Sequence, residues 1–214
     1  YDRAKERGYH TSLLSSVRFD IDPRNIDERE DVTVSSRDSS LWERVFLHGV
    51  LLAGTHRRFP YYHGADKEFD APVYEKVLNL FHTRRALTRL IRRKDGPRFS
   101  IAYFYIPHSP FAFDRNGVRF LRSSPDVYDD NLLYMDRLVG RLTETLRREG
   151  RYDDSVIVLT ADHARYRLVP VEGTHVPLII KGRNQRRRRD VNAPMNLTEL
   201  SGLLFEPPDR PVHP

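Results

Sequence analysis

The chain has 214 residues, with 36 Lys and Arg against 30 Asp and Glu, a formal net charge of +6. It carries 11 Tyr and 11 Phe, an aromatic content that excludes wholesale disorder, and its length suits one large domain with a sizeable core. Cysteine is absent, which excludes disulfides, thiolate metal sites and cysteine nucleophiles. The apolar runs, such as Ile101-Ala102-Tyr103-Phe104-Tyr105-Ile106, fall far short of the roughly 20 residues a membrane span needs.

In chain order, residues 2–7 are charged apart from Ala4 and read as the tail of a helix that Gly8 caps. Tyr9 to Phe19 reads as a short strand region, and Asp20 to Ser40, acidic and polar with Pro23, as a surface loop. A helix is expected from Leu41 to about Gly54, then an aromatic loop from Arg57 to Asp70. Pro72 marks the start of the next helix. Its apolar positions are Val73, Val77, Leu80, Phe81, Leu87, Leu90 and Ile91, and Gly96-Pro97 ends it. Phe99 to Ile106 reads as a strand buried on both faces. Pro125 to Arg148 reads as a helix with the stripe Tyr128, Leu132, Met135, Val139, Leu142 and Leu146. Strands follow at Ser155–Thr160 and Val176–Lys181, which makes the expected fold α/β with a largely parallel sheet flanked by helices.

Ligands of open α/β sheets bind beyond the carboxyl ends of the strands. The strand at 99–106 runs into Pro107-His108, and the strand at 155–160 into Ala161-Asp162-His163. The strand at 176–181 is preceded by Gly173-Thr174-His175. With these strands adjacent in one sheet, His108, Asp162, His163 and His175 gather at one rim. A carboxylate with neutral imidazoles is a donor set for Zn²⁺ or Mn²⁺. Taken singly, each has a plainer reading: a loop histidine, a capping histidine, an ordinary Asp-His after a strand. His10, His48, His56, His63, His82 and His213 have no such context and read as structural or solvent-exposed.

The order of these pieces resembles the sulfatase-like branch of the alkaline phosphatase superfamily. Tyr128-Asp129-Asp130-Asn131 through Asp136, followed by the strand Ser155–Thr160 with Ala161-Asp162-His163, carries most of the similarity. Ile106-Pro107-His108-Ser109-Pro110-Phe111, Val176-Pro177-Leu178-Ile179-Ile180, the early Gly8-Tyr9-His10-Thr11 and Pro194–Leu200 extend it over nearly the whole chain. The resemblance implies a divalent metal (Zn, Mn, Mg or Ca) held by Asp162 and His163. It implies that His108 and His175 hold the phosphate or sulfate group or a second metal. Arg165, beside Ala164 where the family has Gly, could contact an anionic substrate. The 13 residues from Asp162 to His175 are similar to the spacing of phosphoethanolamine- and phosphoglycerol-transferases, which tilts the expected chemistry toward phosphate esters.

The family's nucleophile and first acidic ligand lie upstream of the Gly-Tyr element, and this chain starts there, at Tyr1. The expectation is therefore a single catalytic domain over 1–214, incomplete at its N-terminus, with the nucleophile unassigned and the chain alone inactive. By the same resemblance the expected setting is extracytoplasmic, with a small-molecule or lipid ester as substrate. The alternative class is a non-catalytic anion-binding or nucleic-acid-binding basic domain. Its feature is Arg186-Arg187-Arg188-Arg189, which could also meet an anionic membrane surface. A third class, an interaction module, has only the aromatic loop at 59–63, which reads equally as core packing.

Overall fold

Helix α1, Asp2–Glu6, opens the chain in the computed structural model, which describes residues 1–15, 22–31, 67–108, 111–118, 127–164 and 175–205. Gly8 reverses the chain at φ +75°, a left-handed conformation that suits a residue without Cβ, and its N–H bonds to the Lys5 carbonyl at 2.8 Å. Two compact units, Tyr1–Leu142 and Thr143–Pro214, follow from the contacts and are taken in turn.

Strand β1, His10–Ser15, is the centre of the first unit. It pairs in parallel with β2, Glu28–Asp31, and with β3, Arg98–Ala102, in the order β2-β1-β3. Thr11 to Ser15 are all buried, as befits a central parallel strand covered on both faces. Its register sets Ser12 against Glu28 on one side and against Ser100 on the other.

The strand β2 lies within the segment read as a surface loop. Its sequence, Glu-Arg-Glu-Asp, carries no apolar signal, and charge is a common feature of edge strands. Asp27 holds it there. The Asp27 carboxylate accepts the Thr11 backbone N–H at 2.8 Å, and the Asp27 N–H is accepted by the Thr11 hydroxyl at 3.0 Å. Lys5 of α1 pairs with the same carboxylate at 2.8 Å, so one side chain joins α1, β1 and β2. The Lys5 ammonium first, and then the Thr11 N–H, hold the Asp27 carboxyl well below the usual carboxylate range.

A second polar cluster sits at the amino ends of the strands. The Arg98 side chain, only 6% exposed, pairs with Asp95 at 2.6 Å and with Glu28 at 3.4 Å. It also donates to His10 Nδ1 at 3.0 Å; a guanidinium can only donate, so His10 is the acceptor. His10, expected to be structural, is therefore part of the sheet's end network.

Helix α2, Lys67–Arg92, begins five residues before Pro72, earlier than its sequence signal. Val77, Leu80, Leu90 and Ile91 are buried as expected, and Thr83 and Ala86 share that face. Ala86 and Leu90 pack on Leu14 with Ala102, which seats the helix on the sheet. One turn of helix or more away, Val77 and Leu80 pack with Ile106, Ala112, Phe113 and Leu138. Burial of each such side chain is worth about 1.5–3 kcal/mol.

β3 is shorter than expected, although the Tyr103 N–H still bonds to the Leu14 carbonyl at 2.9 Å. It is not buried on both faces: Ile101 is 40% exposed. Among the described residues β3 is an edge of its sheet. The peptide Ile106–Pro107 is cis. A tight hairpin, β4 (Phe113–Asp114) and β5 (Gly117–Val118), follows, with the Asn116 N–H on the Asp114 carboxylate at 2.9 Å.

Helix α3, Val127–Arg148, keeps Tyr128, Met135, Val139, Leu142 and Leu146 of the predicted stripe partly buried and departs from it at Leu132, which is 43% exposed. Its fully buried positions are Asn131, Leu138 and Thr145. The seam is displaced because Asn131 enters the core, where its amide donates to the Phe113 carbonyl at 2.8 Å. A count of apolar residues does not see a polar group that is buried because it is bonded. The expected helix at 41–54, the aromatic loop at 59–63 and the strand residues 16–19 lie outside the described residues.

In the second unit Gly150, at φ +68°, ends α3. Its N–H bonds to the Arg147 carbonyl at 3.0 Å and that of Arg151 to the Leu146 carbonyl at 2.8 Å, the paired closure that favours glycine. Strands β6 (Ile157–Thr160) and β7 (Leu178–Lys181) then pair with each other, and they are antiparallel. The expectation that they share one parallel sheet with β3 is corrected: among the described residues they form their own two-stranded ladder. Lys181 reinforces this ladder. Its Nζ donates to the carbonyls of Tyr152, Asp153 and Ser155, the last two at 2.9 Å, and so ties the end of β7 to the turn that starts β6. Near the C-terminus Asn196 caps a short 3₁₀ turn, Leu197–Glu199, which leads into α4, Leu200–Phe205. No described helix is long and apolar enough to cross a membrane.

The depressed Asp27 carboxyl predicts the acid limb of stability. A carboxyl with a lowered folded-state pKa stabilises above its unfolded value, about 3.9, and that contribution is lost as pH falls below it. Asp27→Asn should lower the melting temperature at neutral pH and flatten its fall between about pH 4 and 2. Thermal melts of both proteins over that range check this; parallel curves would contradict it.

Candidate functional site

The antiparallel ladder decides which of the candidate residues meet. Its last pair is Thr160 with Leu178. Asp162 and His163 leave the carboxyl end of β6 just beyond that pair, and His175 approaches β7 just before it. All three therefore lie at the same end of the ladder. Had β7 run parallel to β6, His175 would enter at the opposite end. The strand direction is the reverse of the one expected, and it sets these three residues at one end of the ladder.

Asp162 and His163 hold each other locally. The Asp162 carboxylate accepts the His163 backbone N–H at 3.0 Å. The His163 Nδ1 lies 2.8 Å from the Ala164 carbonyl, which can only accept. Nδ1 therefore carries the hydrogen, and the lone pair is at Nε2. A backbone carbonyl so placed fixes the tautomer and orientation of an imidazole.

That Nε2 lies 3.9 Å from Asp162 Oδ2. At a tetrahedral angle, two zinc bonds of roughly 2.0–2.2 Å set their donors about 3.4 Å apart, so these two atoms stand wider than one zinc ion would hold them and a side-chain rotation would have to close the gap. The donors fit a divalent ion by type and tautomer. They supply two ligands; among the described residues no group of three or more His, Asp or Glu converges on a metal. Arg165 lies outside the described residues.

His108 belongs to the first unit, where the chain leaves β3. Its ring is exposed and stacks on Tyr105, with centroids 4.4 Å apart and planes at 21°. The Tyr105 hydroxyl is 3.3 Å from His108 Nε2. From below, Lys76 of α2 donates its Nζ hydrogen to the His108 carbonyl oxygen. The same ammonium lies 4.8 Å from the centre of the Tyr105 ring.

Neither Lys76 nor Tyr105 was singled out by sequence, but a signal existed for Lys76. Positions 76, 80, 83, 87 and 90 follow helical spacing, so a lysine stands in line with Leu80, Leu87 and Leu90. Lysines are almost never fully buried without a partner, and Lys76 is only 4% exposed. Burial pushes its pKa down to about 7.

This gives a second pH dependence, of opposite sense to a salt-bridged lysine. Between about 7 and the unfolded value near 10.4, the unfolded chain binds a proton that the folded chain has released. Stability therefore rises with pH across that window, and the cost of burying the charged form is fully present below it. In urea unfolding, the stability of the parent relative to Lys76→Met should rise by up to about 1.4 kcal/mol per pH unit between pH 7 and 9. A difference that does not change with pH would contradict it.

Comparison with known proteins bears on the chain as a whole. No curated protein matches it. The family model described as Sulfatase matches residues 2–204, nearly the entire length, with Asp162, His163, His108 and His175 inside the match. The chain belongs to the Sulfatase family.

Proposed function

We propose that this protein is a metal-dependent hydrolase or transferase of phosphate or sulfate esters, with Asp162 and His163 holding the metal and His108, His175 and Arg165 meeting the ester's anionic group. Family membership supports a sulfatase-like hydrolase or transferase. The observation that carries the finer reading is the geometry of Asp162 and His163: a carboxylate oxygen and an imidazole lone pair 3.9 Å apart, with the other ring nitrogen bonded to a carbonyl.

When bound, a divalent metal neutralises charge on the ester oxygens and lowers the pKa of a coordinated nucleophile. The residues of this chain do the rest. The Ala164 carbonyl keeps the His163 lone pair at Nε2. The ladder brings His175 to the end where Asp162 and His163 leave it. An imidazole N–H from His175 or His108 can hydrogen-bond the phosphoryl or sulfuryl oxygens as negative charge develops on them. The spacing from Asp162 to His175 favours phosphate esters. The resembling transferases work outside the cytoplasm, and we extend that setting, with a lipid or small-molecule ester as substrate, to this chain.

The rival, binding of a polyanion through the four consecutive arginines, loses ground to local pairing. Arg186 pairs with Asp153 at 3.2 Å and Arg188 with Asp190 at 2.9 Å. Such exposed pairs are worth only about 0–1 kcal/mol each, yet they halve the charge left to meet a partner.

Calorimetric titration of Mn²⁺ and Zn²⁺ tests the proposal. The parent should bind, and Asp162→Ala/His163→Ala should lose that binding while its circular dichroism stays unchanged, since both side chains are exposed. Equal binding by both proteins, or binding by neither, would contradict the assignment of the metal to this pair.

A further inference from the structure

We infer that Lys76 and Tyr105 form a clamp that positions His108, with Lys76 fixing its backbone from the core and Tyr105 fixing its ring. The inference deepens the reading of His108 as a residue that holds the ester's anionic group, and rests on it.

A lysine in a core is expensive to keep, because its ammonium loses water that the interior replaces poorly. An apolar side chain in line with Leu80 and Leu90 would fill the same face of α2 without that cost. What Lys76 does instead includes holding the chain at His108 and Tyr105. Its Nζ donates to the His108 carbonyl oxygen and lies against the face of Tyr105, 4.8 Å from the ring centre. Tyr105 in turn stacks on the His108 ring at 4.4 Å and brings its hydroxyl to 3.3 Å of Nε2. His108 is held at three points: its carbonyl, its ring face and one ring nitrogen.

The segment does not need Lys76 merely to stay in place. Ile106, two residues earlier, is already buried in the core with Val77, Leu80 and Phe113. The lysine's bond adds a constraint at His108 itself, where packing has run out and the side chain is exposed. An exposed imidazole left to itself samples several rotamers, and ordering it on binding costs about 0.5–1.5 kcal/mol for a typical side chain. A ring already clamped has met that cost before an anion arrives, which is the value of preorganisation. Lys76 is too deeply buried to touch a ligand beside His108, so its role is positioning and not catalysis.

The test follows the His108 ring by NMR and titrates inorganic phosphate and inorganic sulfate into the protein loaded with diamagnetic Zn²⁺. Stacking on Tyr105 should shift the His108 ring protons upfield in the parent. Lys76→Met has matching length and no donor; it should fold, lose most of that shift and weaken phosphate binding about tenfold. Tyr105→Phe keeps the stack without the hydroxyl and should weaken binding by a smaller factor. His108→Ala separates the two ideas: if it leaves anion binding unchanged while Lys76→Met abolishes the ring shift, the clamp stands and the anion role of His108 fails. A parent spectrum without the upfield shift would overturn the clamp. So would a Lys76→Met protein that keeps both the shift and the parent's affinity. If Lys76→Met does not fold, Tyr105→Leu, which removes the stack, decides: unchanged ring signals and unchanged affinity overturn the clamp.

Discussion

The antiparallel pairing of β6 and β7 is the constraint on which the placement of the candidate residues depends. It sets the end of β7 beside the turn before β6, where the Lys181 Nζ donates to the carbonyls of Tyr152, Asp153 and Ser155 and ties the two together. From opposite senses it follows that the residues after β6 and the residues before β7 share an end. Asp162, His163 and His175 therefore lie at the end of the ladder away from Lys181. Arg183 reinforces the tie from the neighbouring position, with its Nε on the Asp154 carbonyl at 2.9 Å. A turn whose carbonyls are satisfied by a lysine is also one whose backbone need not find water, which removes a reason for the strand to fray.

The first unit is organised by similar means, with charges used as ties and apolar contacts used as bulk. Asp27 gathers α1, β1 and β2, while Arg98 gathers the amino ends of all three strands. At the other end of the sheet the chain leaves β3 through Tyr103 to Ile106 and reaches His108, beneath which sits Lys76. Polar ties mark the ends of the strands, and Leu14, Ala86 and Leu90 pack between them. This division makes physical sense: a hydrophobic contact gives no direction, whereas a hydrogen bond fixes which atom faces which.

Sequence patterning served best where burial and hydrophobicity coincide. Leu13 and Leu14 of β1, Val77, Leu80 and Leu90 of α2, and the positions of β6 and β7 could all be read that way. It failed where polar groups are buried for their bonds. Asn131 moved the seam of α3 away from Leu132, Glu28 to Asp31 made a strand with no apolar residue, and Lys76 entered a core. Strand direction also lay beyond the pattern, because Leu178–Lys181 reads the same to a hydrophobicity count whichever way it runs. The candidate residues were legible as types: Asp162, His163, His108 and His175 stand out by resemblance and by their place beside strands. Their supports were not, since the Ala164 carbonyl, the Tyr105 stack and the Lys76 bond are relations in space with no spacing to announce them.

The divalent cation proposed for this chain would be held by Asp162 and His163. Anomalous diffraction from crystals soaked in Mn²⁺ or Zn²⁺, recorded at the metal's absorption edge, tests it most directly. The account predicts a peak within bonding distance of Asp162 Oδ2 and His163 Nε2, with His163 Nδ1 still on the Ala164 carbonyl. A peak elsewhere, or a metal bound through His163 Nδ1, would contradict it.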